Sequence, residues 1–337
     1  MLFRKELILN KAAILLCLLL AAFGLSASVT AQTALPKQSF VDVQPDVKLE
    51  VLDWGGAGQP MILLAGLGFD AHNFEGFAEK LAAHYRVYGI SRRGFGASSV
   101  PVPTEENYSA HRLADDVLAV MDALKIDRPV LVGHSIAGEE LSSIGIRYPD
   151  KVAGLVYLDA GYPYAYYDPA ASKPDVMIDS SLVRAEINAL YSPLPTSARK
   201  ASLRTLIERD LPRFERDLAE LQKQVSSLPD NTPAPPDTPQ NRAAAAVIRG
   251  AEMHEGVECP VLAIFAVPHN FAQISDATER ARQIEQDRAN VGGQVDVFQK
   301  GNPQAHVVRI VNADHFVFKS NEADVLREIE SFVASLK

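Results

Sequence analysis

The chain has 337 residues, 33 basic against 42 acidic, and a formal net charge of −9 at pH 7. An acidic chain without basic clusters argues against nucleic acid or an anionic membrane surface as a partner. Of two cysteines, Cys17 falls in an apolar leader and Cys259 is left alone, so no intramolecular disulfide supports the fold.

The first residues read as a targeting segment. Arg4, Lys5 and Lys11 lead into a 12-residue apolar run, Ala12–Phe23, and small residues follow to Val29-Thr30-Ala31. That is the layout of a secretory signal peptide over residues 1–31, cut after Ala31. Twelve residues fall short of the roughly 20 that span a bilayer, and no other span is expected in the mature chain. Cys17 lacks the small residues a lipid-attachment site needs before it. Without Arg4, Lys5, Lys11 and Glu6, 30 basic and 41 acidic residues remain, a net charge of −11. The expected location is secreted or periplasmic.

After an extended start (Ser39–Val43, Lys48–Trp54), apolar strand-like runs alternate with helical patterns. Met61–Ala65 precedes Phe74–Ala83, Tyr85–Ile90 precedes Ala110–Leu124, and Pro129–Val132 precedes Ile136–Arg147, with Val152–Leu158 closing the first half. Near-continuous apolar strands between amphipathic helices predict an α/β fold, a mostly parallel central sheet flanked by helices on both faces. Between Tyr162 and Glu258 no strong strand appears. Ser181–Leu190 and Ser197–Val225 read as helices with charged faces, and the Pro-rich stretch Leu228–Pro236 cannot be helix interior. The alternation resumes with a strand Val261–Ala266, a helix near Ser275–Ala289, a strand His306–Val311 and a helix Glu322–Leu336. The expected organisation is a core of residues 39–161 and 259–337, with a helical cap inserted at 162–258. Such a cap lies over the C-terminal sheet edge, where open α/β sheets bind ligands.

One turn carries chemistry. In Leu131-Val132-Gly133-His134-Ser135-Ile136-Ala137-Gly138 an apolar strand meets a lone Ser flanked by small residues, and a helix follows at once. A Ser on so sharp a turn is exposed beside the free N–H groups of the helix start. Acyl transfer needs both an accessible nucleophile and donors for a developing oxyanion. The usual spacing has Gly where Ala137 stands here, with Gly138 one step later.

Three further segments follow strands in a fixed order: Ala65-Gly66-Leu67-Gly68, Ser91-Arg92-Arg93-Gly94-Phe95-Gly96-Ala97-Ser98, and Asn312-Ala313-Asp314-His315-Phe316. With the Ser turn, they make the chain resemble the α/β-hydrolase family from about residue 40 to the C-terminus, least so across the cap. The resemblance implies Ser135 as nucleophile and His315 as base, and a Ser hydroxyl does need an imidazole to take its proton. It also implies backbone donors at Ile136 and Leu67 for the oxyanion, although Ala65-Gly66 replaces the usual His-Gly pair. Gly66 and His134 are expected at the substrate site, His134 with the reservation that the residue before such a Ser points away from it. The other six histidines read as ordinary surface or core residues.

The acid departs from the common pattern. Its usual place, a few residues past the penultimate strand, holds Val267-Pro268-His269-Asn270 and no carboxylate. Some relatives carry the acid after the strand that follows the nucleophile helix, where this chain has Asp159. Asp159 is therefore the first choice and Asp276 the alternative, with a helix cap as a sufficient role for Asp276. Glu139 and Glu140 lie where this fold normally buries the helix. A buried carboxylate needs a partner, which Arg92 or Arg93 could supply.

The expected activity is a serine hydrolase that cleaves a small-molecule carboxylic ester through an acyl-enzyme, with no metal or organic cofactor. A perhydrolase, a lactonase or an amide hydrolase on the same fold is the alternative. Dehalogenase and epoxide hydrolase relatives carry Asp at the nucleophile position, so Ser135 disfavours their chemistry. A non-catalytic binding protein would not need both Ser135 and His315.

Overall fold

The computed structural model describes residues 35–168, 170–171, 180–226 and 233–336. The leader expected over residues 1–31 lies outside these. Residues Pro36–Lys337 form one compact unit.

Eight strands build one sheet: β1 (Lys37–Gln44), β2 (Val47–Gly55), β3 (Pro60–Leu64), β4 (Arg86–Ile90), β5 (Val130–His134), β6 (Gly154–Leu158), β7 (Val261–Ala266) and β8 (His306–Ile310). Their order is β1-β2-β4-β3-β5-β6-β7-β8. The β1–β2 and β2–β4 pairs are antiparallel, and every later pair is parallel.

Helices longer than a single turn are α1 (Phe77–Ala82), α2 (Ala110–Leu124), α3 (Gly138–Arg147), α4 (Ser181–Tyr191), α5 (Thr196–Thr205), α6 (Leu211–Ser226), α7 (Pro239–Arg249), α8 (Ala277–Asp287), α9 (Gly293–Gly301) and α10 (Glu322–Ser335). Successive strand residues face opposite sides. Thus Ile62, Leu64, Leu131 and Leu155 pack with α2, α3, α7 and α9. Met61, Leu63, Val130, Val132 and Val156 pack with α1 and α10 on the other face. Both faces are covered, which is why the strands read as continuous apolar runs.

α4 to α7 separate β6 from β7 without a described strand, where the sequence predicts the cap. They join the body through Arg184 and Glu105 at 2.6 Å and through a backbone bond from Ala110 to Gly250. α5 and α6 are linked by a π turn, Leu206–Asp210. Among the described residues no helix is long and apolar enough to cross a membrane. Two expectations change in detail. The helix expected to Ala289 passes at Arg288–Gly292 into a π turn, and α9, absent from the sequence reading, completes the crossover to β8. Val295 and Phe298 of α9 are buried, but three apolar positions in nine residues make a weak periodic signal.

Candidate active site

Ser135 and Asp159 stand one residue past the ends of adjacent parallel strands, since His134 of β5 pairs with Leu158 of β6. Both take the left-handed backbone conformation, φ 54° at Ser135 and 49° at Asp159. Such strain in a non-glycine residue persists only where the surroundings enforce it. At Ser135 they do. A Cβ on Gly138 would stand 2.0 Å from the Ala160 carbonyl oxygen, and one on Gly133 would stand 2.9 Å from Leu141. Only glycine lets the turn close.

Gly66 is buried, and a Cβ there would lie 3.1 Å from Cβ of Ser135 and 2.8 Å from Nδ1 of His134. The Ala65–Gly68 loop therefore runs directly against the serine. Ile136 lies in the 3₁₀ turn Ser135–Ala137 that leads into α3, and the first N–H groups of such a start lack intrahelical acceptors. Among the described residues no turn hydrogen bond uses the Leu67 N–H.

Asp159 is completely buried. Its Oδ1 accepts from the Ala266 backbone N–H at 3.0 Å. Its Oδ2 receives Nδ1 of His315 at 2.7 Å, Nε2 of His269 at 2.9 Å and the Tyr162 hydroxyl at 3.1 Å. Burial opposes the carboxylate charge, but the two imidazole hydrogen bonds outweigh it and hold Asp159 below its ordinary range. With Nδ1–H of His315 on Asp159, Nε2 of His315 is the nitrogen left to accept a proton. Among the described residues Ser135 Oγ makes no hydrogen bond to His315. In a free enzyme that bond is often long, and it tightens when substrate binds.

Asp276 does not approach His315. It caps α8, its carboxylate accepting from the Glu279 N–H at 2.7 Å. His134, expected at the substrate site, is buried instead. Its ring lies 4.7 Å from the His315 ring, centroid to centroid, and its Nε2–H donates to the His315 carbonyl at 3.0 Å. Burial pulls its pKa down to about 4, so a neutral ring buttresses His315 from below. Phe69 and Phe316 meet edge to face, centroids 5.2 Å apart, beside the Gly66 loop and His315.

His269 corrects the reading of the remaining histidines as ordinary residues. The loop after β7 pairs with the loop after β8 through a parallel bridge between His269 and Ala313 and a 2.9 Å bond from Asn270 to Ala313. That bridge sets His269 beside His315, with ring centroids 6.3 Å apart. Its Nδ1 lies 3.1 Å from both Asp287 oxygens, and its backbone N–H donates to Asp287 at 2.8 Å. The signal available in the sequence was the vacant acid position, occupied by a histidine. Nothing in the sequence pointed to Asp287, the last residue of an ordinary amphipathic helix.

A carboxylate and two imidazoles with ligand-type atoms within 4.8 Å of one another could hold a metal ion. Hydrogen bonds onto one carboxylate oxygen already account for that spacing.

The two glutamates after the turn are both buried. Glu140 meets Arg92 in a forked pair, 2.6 Å from Nε and 2.8 Å from Nη2. Arg92 also donates to the Ala65 carbonyl at 3.0 Å, which ties α3 to the loop beside Ser135. Arg93 pairs with Asp116 instead, with two bonds of 2.6 Å. Among the described residues neither carboxylate oxygen of Glu139 has a hydrogen-bond partner, and burial raises its pKa well above the ordinary range.

A sequence profile of the alpha/beta hydrolase fold matches residues 59–322. A fluoroacetate dehalogenase of Burkholderia sp is 34% identical over 116 residues, 34% of this chain and 38% of that protein. Epoxide hydrolase 3 of Xenopus tropicalis is 30% identical over 123 residues, 36% of this chain and 33% of that protein. The chain thus spans about a third of the length of these relatives. In overall structure it is similar to an esterase, RhEst1 of Rhodococcus sp. ECU1013, with a TM-score of 0.56 at 19% identity over 90% of this chain and 99% of that one. E-2-(acetamidomethylene)succinate hydrolase gives a TM-score of 0.53 at 21% identity over 89% of this chain and 99% of that one. With the profile covering most of its length, the chain belongs to the alpha/beta hydrolase fold family.

Proposed function

We propose that this protein is a serine hydrolase that cleaves a carboxylic ester through an acyl-enzyme on Ser135. His315 takes the Oγ proton on Nε2 as Oγ attacks the carbonyl carbon. The oxyanion forms against the N–H groups of Ile136 and Leu67. His315 then protonates the departing alcohol, and a water molecule activated by the same ring releases the acid. Asp159 keeps the ring in the tautomer this requires. The observation that carries the reading is the 2.7 Å hydrogen bond between His315 Nδ1 and the buried Asp159.

The dehalogenase and epoxide hydrolase among the relatives do not redirect this reading, because the attacking group here is an alcohol. A serine alkoxide adds to a carbonyl and leaves an acyl ester that water can cleave at the same carbon. A carboxylate nucleophile, by contrast, suits displacement at a saturated carbon. The pair of exposed Phe69 and half-buried Phe316 supports an apolar group in the substrate, next to the reacting carbonyl. The leader sequence supports action outside the cytoplasm, in the periplasm or beyond.

Hydrolysis of p-nitrophenyl esters of graded acyl length by the purified protein and by Ser135→Ala tests the proposal. Turnover that Ser135→Ala lowers by about 10⁴ to 10⁶ is expected. Equal turnover by the two proteins would refute it. Parallel assays with p-nitroanilides and lactones decide between ester, amide and lactone hydrolysis.

A further inference from the structure

The two nitrogens of His269 both face carboxylates: Nε2 the buried Asp159 at 2.9 Å, Nδ1 the Asp287 oxygens at 3.1 Å. A neutral imidazole has one N–H and one lone pair. In either neutral tautomer a lone pair would point at a carboxylate oxygen, one of them completely buried. Only the doubly protonated ring satisfies both sides.

We infer that His269 is a second imidazole, charged at neutral pH, that anchors Asp159 and sets the basicity of His315 by sharing the Asp159 negative charge. The inference rests on the reading of Asp159 and His315 as acid and base. It makes His269 a positioning residue, since its ring touches the acid and not the reacting atoms.

The physical consequence has a definite sign. Asp159⁻ alone would favour a proton on His315, because the imidazolium would sit against an unshared charge. His269⁺ divides that charge and also repels a second positive ring 6.3 Å away. Both effects keep His315 available as a base at lower pH. The charge of His269 is itself secured from two directions. Burial works against it, but the hydrogen bonds and charges of Asp159 and Asp287 prevail and raise its pKa to about 10. The groups that face this cluster among the described residues are few. They are Asp159 at the end of β6, Tyr162 beyond it, Asp287 at the end of α8, and His315 with the neutral His134 beneath it. None but His269 can place a positive charge on Asp159 while His315 is neutral. In this chain a cation and its counter-ion occupy the place after β7 where the common pattern puts the acid, and the acid has moved one strand inward.

Nitrogen-15 NMR of the histidine rings tests this without any substrate, so its outcome is separate from whether Ser135 cleaves esters. In the intact protein at pH 8, His269 is expected to carry protons on both nitrogens. A neutral His269 ring at that pH overturns the inference. His269→Gln keeps an N–H donor for Asp159 but removes the charge. In that variant the ring titration of His315, and the acid limb of any activity, should move upward by about half a unit to two pH units. A His315 titration that stays in place, whatever happens to the rate, would reduce His269 to a structural role and overturn the inference. Should His269→Gln fail to fold, Asp287→Asn supplies the second arm. It leaves an acceptor for Nδ1 but withdraws a charge, so His269 should release its proton at lower pH than in the parent protein. An unchanged His269 titration in Asp287→Asn contradicts the inference.

Discussion

Ser135 and Asp159 are register neighbours: each follows the last residue of its strand, His134 paired with Leu158, and each is held at positive φ. Two strained residues side by side at the C-terminal edge of a parallel sheet leave their side chains on rigid elements. Loop tips would not fix a carboxylate and a hydroxyl so firmly.

Asp159→Asn tests the acid. The amide fits the same space but presents an N–H₂ or a weaker acceptor to His315, which favours the wrong ring tautomer. A loss of about 10² to 10⁴ in kcat/KM is expected, together with a lower melting temperature, because the charged His269 loses its buried counter-ion. Asp276→Asn should be nearly silent in the same assay, because Asn caps a helix about as well as Asp. The reverse ranking would move the acid to α8.

The fold was readable from alternation alone, because both sheet faces are covered and the central strands β3, β5, β6 and β7 are near-continuous apolar runs. Ala110–Leu124 and Val261–Ala266 coincide with their expected limits. The nucleophile turn was readable because small residues are obligatory where Gly138 meets Ala160. His269 was not readable as a partner of Asp159. Its role depends on a bridge between two loops that are 44 residues apart, His269 to Ala313, and no local pattern encodes such a contact. The partner of Glu140 was legible only as one of two arginines, Arg92 or Arg93. Two adjacent arginines could have met two adjacent glutamates, and packing gave Arg92 to Glu140 and Arg93 to Asp116.

Arg92→Met should be severely destabilising. It strips a completely buried carboxylate of both its hydrogen bonds and frees the Ala65 carbonyl at the same time. A cost of about 3–5 kcal/mol in denaturant unfolding is expected. Adding Glu140→Leu to the same protein should recover most of that loss, since an apolar pair of similar volume avoids the unpaired charge. A double variant as unstable as the single one would show that Arg92 acts elsewhere.

Glu139→Gln should raise the melting temperature, and more at pH 8 than at pH 5. Burial raises the folded-state pKa of Glu139 above its unfolded value, so the folded state holds the proton more tightly. Stability is then greatest below the ordinary carboxyl range and declines as pH rises through the raised folded value. The amide has no proton to lose, and that decline should disappear. An identical pH slope in both proteins would mean that Glu139 is paired in solution.

His269 should add to the same alkaline decline by a separate window. Its raised pKa means that its contribution to stability is complete below the ordinary imidazole value, near 6.5, and is lost as pH approaches about 10. Melting temperatures from pH 6 to 10 should fall, and His269→Gln should flatten the curve between those limits. A parent curve flat to pH 10 would contradict a charged His269.

The most direct measurement of the central claim is covalent labelling with a fluorophosphonate, read by intact mass and peptide mapping. A single phosphonyl adduct on Ser135 is predicted, absent in Ser135→Ala and formed at least about 10²-fold more slowly in His315→Ala. A folded protein that takes no label, or takes it on another residue, would contradict Ser135 as the nucleophile.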